Sequence, residues 1–346
     1  MPKTSIKRST VCLMASLALA SAAASGARAD PVADFYHGRT IRMLVGYGPG
    51  GGYDLYARLV AEFLPRHLPG NPAIVTENMP GAGSVVAAKY MADVAPRDGT
   101  VLGSLAQTLP LGSAVGAVAR LNVANFRYIG RATSNVDVGV ALPQSGIKSF
   151  ADVREKQYTV GASAAGSNTG IYPIALNAYA GARFKVVMGY KGTSDIVLAM
   201  ERGEIDLAGA YGLPPILVSH PGWIKNAEAV ILYQAALKRN PLIPQVPTLP
   251  ELAQNEEGQK VLYAIASTAE IGRSIISGPD LPPERLAALR SAFAAMLKDP
   301  DFVAACEQRH FMVDGGSGEE MDEIVKQTFA LPQPVLAKIG DLLAGK

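Results

Sequence analysis

One unit recurs along this chain and restricts the folds open to it: a short apolar strand, a loop rich in glycine or serine, and an amphipathic helix. The first copy has its strand at residues 41–45. The loop Gly46-Tyr47-Gly48-Pro49-Gly50-Gly51-Gly52 follows, and then a helix from about Tyr53 with Leu55, Leu59, Val60, Phe63 and Leu64 on one face. The second copy has a strand at 73–76, the loop Asn78-Met79-Pro80-Gly81-Ala82-Gly83, and a helix carrying Val85, Val86 and Met91. The third has a strand at 158–160, a loop over 161–167, and a helix from about Thr169. The fourth has a strand at 184–188, the loop Gly189-Tyr190-Lys191-Gly192, and a helix over 193–202 closed by Gly203, with 205–208 as the next strand. Strands alternating with helices predict an α/β fold with mixed, mainly parallel sheets covered by helices on their faces. In such folds the loops at the carboxyl ends of the strands carry function.

The units divide into two lobes. A turn-rich break, Leu142-Pro143-Gln144-Ser145-Gly146, follows a strand near Val138-Gly139-Val140. Pro241, Pro244, Pro247 and Pro250 mark a proline-rich return. The expected division is residues 30–136 for the first lobe, 137–264 for the second, and 265–346 for a return to the first. The last stretch is helical, with a stripe of Leu286, Leu289, Phe293, Met296 and Leu297 and a capping box of Ser317 with Glu320. A cleft between two lobes is a natural ligand site.

Residues 1–29 are of another kind. Lys3, Lys7 and Arg8 precede an apolar run over 11–24, and Ala27-Arg28-Ala29 precedes Asp30. A basic start, an apolar run too short to span a bilayer and an A-x-A site read as a secretory signal peptide cleaved near Ala29/Asp30. The mature protein is then expected in the periplasm. Cys12 lies inside the apolar run without the small neighbours of a lipid-anchored cysteine. Cleavage removes four of the 32 basic residues, leaving 28 against 30 acidic ones. That balance gives no field for nucleic acid. It also leaves Cys306 as the single cysteine, in an apolar helical stretch, so no internal disulfide is available. With 49% hydrophobic residues, the 346-residue chain can hold itself together by its core.

Glycine before a helix N-terminus makes an anion site, because unpaired N–H groups and the helix dipole both favour negative charge and the missing side chain admits the ligand. Four such loops exist, two in each lobe. Candidate ligand contacts in the first lobe are Tyr47, Gly50, Gly51, Gly52, Tyr53, Asp54, Gly81, Ala82, Gly83 and Gln107. In the second they are Ser163, Gly166, Ser167, Tyr190, Gly192, Thr193 and Asp195. Asp54 is expected to cap the first helix. Arg273, in Ile271-Gly272-Arg273-Ser274, falls where the chain returns to the first lobe. It is expected either to face the cleft and fix a distal carboxylate, or else to make a salt bridge at the hinge or lie exposed.

Several motifs together resemble the Bug family, the solute receptors of tripartite tricarboxylate transporters. Pro49-Gly50-Gly51-Gly52-Tyr53-Asp54, with Ala57-Arg58, is similar to the family's P-G-G-G-x-D-x-x-A-R. Glu77-Asn78-Met79-Pro80-Gly81-Ala82-Gly83 resembles its E-N-x-P-G-A-G, and Ala95-Pro96-Arg97-Asp98-Gly99-Thr100 its A-x-P-D-G-T with an added Arg97. Tyr190-Lys191-Gly192-Thr193 and Val246-Pro247-Thr248 match two further elements. The motifs span about 34–325. The resemblance implies a type II-like two-lobed periplasmic binding-protein fold that closes on a small carboxylate, with the permease subunits of such a transporter as partner. Departures are the bulky Tyr47 and Tyr53 and the run Gly212-Leu213-Pro214-Pro215.

Other chemistries fit less well. His37, His67, His220 and His310 share no ligand spacing, so neither metal nor cofactor is expected. Ser163 lacks the second glycine of a nucleophile elbow, and a serine-type hydrolase would need His220 or His310 as its base, which nothing in the sequence brings to it. The loop at 48–52 has no Gly-Lys-Ser/Thr and carries a proline. A monomeric binder rather than an enzyme is expected. A ligand-presenting sensor of a membrane signalling protein would use the same fold and cleft.

Overall fold

A computed structural model describes residues 30–118 and 120–345. The signal-peptide expectation falls on residues 1–29, outside the described residues. Among the described residues no helix is long and apolar enough to cross a membrane.

Two sheets form. Among the described residues the first has six strands and the second five. In the first sheet, β1 (Thr40–Val45) pairs in parallel with β2 (Ala73–Asn78) and with β3 (Val101–Ser104). The return strand β10 (Ser274–Ser277) inserts between β3 and β4 (Arg127–Arg131), antiparallel to both, and β11 (Gly316–Ser317) pairs antiparallel with β4. In the second sheet, β6 (Tyr158–Ala162) pairs in parallel with β7 (Phe184–Met188) and β8 (Leu207–Gly212). There β5 (Asp137–Ala141) runs antiparallel to β8 and to β9 (Val230–Ala235). The sheets are therefore mixed, as expected, but parallel pairing does not dominate. Parallel pairs come from the local strand–loop–helix units. The strands that the chain enters after each crossing, β5 and β10, run the other way.

All four glycine loops lead into helices: Gly52–Phe63, Val85–Asp93, Asn168–Ala180 and Thr193–Glu201. In the first of these helices Leu59, Val60 and Phe63 are buried, as the 3.6-residue period requires. They join a core of Ile41, Met43, Leu44, Phe293 and Phe302 beneath the first sheet. Each such side chain, fully withdrawn from water, contributes about 1.5–3 kcal/mol. Ser317 caps the helix Gly318–Phe329, its Oγ accepting from the Glu320 N–H at 3.1 Å, which is one of the two bonds of a capping box.

Asp54 does not cap its helix. Gly51 occupies that position and Asp54 is the third helical residue. The terminal helix also departs from expectation. Gln333–Leu343 buries Leu336 and Ile339 in the core of the second sheet, with Ile171, Leu176 and Leu262, rather than returning to the first. Its apolar stripe fits the exposed side of the helices over that sheet, and nothing in its own sequence names the lobe.

Candidate functional site

The glycine loop after β1 is held from below by Asp54. The Asp54 carboxylate accepts from the Gly50 N–H at 2.9 Å, Arg58 Nε at 2.9 Å and Asn78 Nδ2 at 2.8 Å. Burial raises its pKa more than any other single influence. The hydrogen bonds from Arg58, Gly50 and Asn78 together outweigh burial and leave it below the ordinary 3.8. With its oxygens committed in this way, Asp54 braces the loop; it is not placed to receive an anionic ligand.

The loop after β2 takes an unusual course. Gly81, Ala82, Gly83 and Ser84 have φ of 145°, 46°, 63° and 83°, a left-handed run that includes two residues with side chains. The run brings Gly83 against the second lobe: a Cβ built there would lie 2.8 Å from Ser167 Cβ. Ala82 stays exposed.

The second-lobe loop after β6 is knitted internally. Ser167 Oγ donates to the Ala164 carbonyl at 2.7 Å and lies 2.8 Å from Thr169 Oγ1, which accepts from the Ser163 N–H at 3.0 Å. The Ser167 hydroxyl is thus used inside its loop, whereas the Ser163 Oγ is buried without a partner. Tyr190 packs over Gly161 on the second core, and Gly192 lies beside Gly48. Thr193 is half-buried and Asp195 exposed at the start of the fourth helix.

The lobes meet around these loops. The Gly48 N–H donates to the Lys191 carbonyl at 3.0 Å. Thr108 Oγ1 donates to the Gly166 carbonyl at 2.8 Å, and Gln107 Nε2 to Tyr172 Oη at 3.3 Å. Ser194 stands near Gly50 and Gly51. The fold therefore brings together loops from both lobes that are far apart in sequence, from 58 residues for Thr108 and Gly166 to 143 for Gly48 and Lys191.

Beneath them lies a buried polar floor. Arg273, 3% exposed, places its guanidinium 3.9 Å from the centroid of the Tyr53 ring, which in turn stacks on Tyr47 at 4.8 Å. Burial pushes the Tyr53 phenol up to about 12, so it stays neutral; its oxygen accepts from the Gln107 N–H at 2.9 Å. The anionic neighbour of Arg273 is Asp137, with Nη2 to Oδ1 at 3.7 Å, and Asn168 Nδ2 donates to the other Asp137 oxygen at 2.6 Å. Among the described residues, Tyr47 Oη, Arg273 Nε and both ends of the Asn135 amide are buried without hydrogen-bond partners. Such atoms are rare in folded proteins, and each marks an unmet interaction. The run Gly212-Leu213-Pro214-Pro215 closes one wall. Strand β8 passes directly into the helix Leu213–Ser219, and Pro215 Cγ would stand 3.1 Å from a Cβ on Gly52.

Sequence reasoning missed Asn135, Asp137, Asn168 and Tyr172. A signal existed for the first two. Both are polar residues entering the apolar strand β5, where a buried side chain needs a partner.

Comparison with known proteins places this architecture. The family model described as TctC, tripartite tricarboxylate transporter family receptor, matches residues 56–341. A Cupriavidus necator protein described as "UPF0065 protein in gbd 5'region" is 25% identical over 337 residues, covering 93% of this chain and 94% of that protein. Among solved structures, periplasmic binding protein BugD superposes with a TM-score of 0.69 at 19% identity, over 88% of this chain and 98% of that one. MatC from Rhodopseudomonas palustris with bound malate gives 0.68 at 20% identity, over 88% and 99%. The adipate-bound R. palustris protein Rpa4515 gives 0.66 at 21% identity, over 87% and 97%.

Proposed function

Because the chain belongs to the tripartite tricarboxylate transporter receptor family, we propose that it is exported to the periplasm, captures a small carboxylate in the cleft between its lobes and delivers it to the permease of such a transporter. Cleavage near Ala29/Asp30 frees the mature receptor, which acts as a monomer and binds without catalysis. The two-lobed division near residues 137 and 265 gives the motion: the lobes open and close about the two crossings.

The observation that carries this reading is the convergence of helix-leading loops from both lobes. Gly48 is bonded to Lys191, and Thr108 to Gly166, around a floor with unpaired polar atoms. A ligand carboxylate held there takes backbone N–H groups of the loop at 51–52 and of the helix N-terminus at 192–193, with Ser163 Oγ as a further donor. Malate on MatC and adipate on Rpa4515 are carboxylates, which agrees with this class of ligand.

Calorimetry with a panel of small mono- and dicarboxylates tests the reading. Gly51 has φ −81° and only Ser194 Oγ near a built Cβ, at 3.7 Å. Gly51→Val is therefore tolerated by the fold while its side chain covers the loop amides. Binding of a carboxylate by the wild type and its loss in Gly51→Val is the expected outcome. Undiminished binding in the variant would leave the loop as no more than a turn.

A further inference from the structure

Resting on the reading of the cleft as a carboxylate site, we propose that its floor reads a second, uncharged group of the ligand, a carboxamide or hydroxyl that both donates and accepts, and disfavours a second carboxylate. Two independent features of the floor lead there.

The first is charge. Arg273 and Asp137 neutralise each other at 3.7 Å with 3% and 1% of their side chains exposed. A carboxylate placed beside them adds an uncompensated negative charge next to Asp137 where water does not screen it. The cation is satisfied in charge but not in hydrogen bonds. Its Nε has no partner, and its contact with Gln107 Oε1 is long at 3.5 Å.

The second is the hydrogen-bond inventory. Asn135 is wholly buried with neither end of its amide paired. Whichever way the amide is turned, one end is an acceptor that only a donor can satisfy. A carboxylate has no donor to give. A carboxamide oxygen can accept from Arg273 Nε and from Asn135 Nδ2 or Tyr47 Oη, while its NH2 donates to Asn135 Oδ1. The groups are close enough for one ligand end. A Cβ on Gly212 would lie 2.6 Å from Asn135 Oδ1 and 2.9 Å from Arg273 Nη2, so both groups converge on the bare backbone of this glycine.

The floor also keeps its shape. Asn135 and Arg273 sit on the two crossing segments, which are bonded to each other by Arg273 N to Thr133 O at 2.8 Å, Ala132 N to Arg273 O at 3.1 Å and Asn135 N to Ala269 O at 3.0 Å. A site built on this ribbon is preformed before the lobes close.

The test is calorimetry at pH 7.5 with matched pairs of three to six carbons, each an α,ω-diacid and its mono-amide, with the simple monocarboxylate as reference. The mono-amide of the best-fitting length is expected to bind the wild type at least about tenfold more tightly than its diacid, since the diacid leaves a buried acceptor unmet. Asn135→Leu should remove that preference. Asp137→Asn, which frees the arginine charge, should reverse it. Thermal melting of each variant without ligand checks that it is folded, and Asn135→Ala serves if the leucine variant is not. Equal or tighter binding of the diacid by the wild type would overturn the inference and leave the carboxylate site standing. A preference unchanged in both Asn135 variants would do the same. Failure of every compound to bind would sink the carboxylate site and the inference together.

Discussion

The backbone N–H of Gly48 donates to the carbonyl of Lys191 at 3.0 Å, so the glycine loop of one sheet is bonded to a glycine loop of the other. The bond uses no side chain. It depends on both loops being stripped close to bare backbone at this point. Closure of the cleft is thus coupled to the same feature that lets a ligand reach the helix N-termini. Four expectations follow from this closed arrangement and from the buried groups around it.

Gly83 makes a close inter-lobe approach. A Cβ there would lie 2.8 Å from Ser167 Cβ, and its φ is +63°. Gly83→Val should cost about 1–2 kcal/mol of fold stability from the left-handed backbone. It should also lower ligand affinity by about tenfold or more by depleting the closed state. Small-angle scattering with ligand should show the variant remaining expanded; compaction equal to the wild type would mean that the loops do not meet.

Arg273→Gln removes one member of a pair shielded from water and leaves Asp137 buried without its counter-charge. Breaking such a pair costs about 3–5 kcal/mol. The melting temperature without ligand should therefore fall by several degrees. An unchanged melting temperature would show that Asp137 finds compensation elsewhere and would return Arg273 to a role purely in binding.

Asp54 governs an acid limit. Its folded pKa lies below the ordinary 3.8, so the protein gains stability from it at pH values above that ordinary value. That gain is lost as pH falls through the folded pKa, when the proton displaces the bonds from Arg58, Gly50 and Asn78. Asp54→Asn should be less stable than the wild type by about 1–3 kcal/mol at neutral pH, and the difference should shrink below pH 4. A gap that stays constant down to pH 2 would show that the carboxylate charge is not what braces the loop.

Cys306 is buried in the helix Pro300–Gln308, and burial pushes its thiol up to about 11. It should react with a thiol reagent at neutral pH only as fast as the native protein opens, and promptly in denaturant. Rapid labelling of the native protein would place it at the surface.

The sequence by itself determined the local units. Apolar runs of three to five residues followed by glycine loops and 3.6-period stripes placed β1, β2, β6 and β7 and their helices close to their observed positions, because those signals are encoded within about fifteen residues. The family resemblance was legible for the same reason, in short contiguous motifs. The site was legible only as loops. That Gly83 meets Ser167, or that Arg273 pairs with Asp137 on the floor of the cleft, depends on how two sheets are set against each other across a hinge. No local pattern reports that distance. Asp54 illustrates the limit: its position in the loop was plain, but whether its oxygens cap a helix or brace Gly50 turned on Arg58 one helical turn on and on Asn78 from another strand. The terminal helix is the plainest case. Its amphipathic stripe fixed that it must pack on a core, and only the tertiary structure decided which one, because the free energy of burying Leu336 and Ile339 is non-directional and goes to whichever apolar surface the chain can reach.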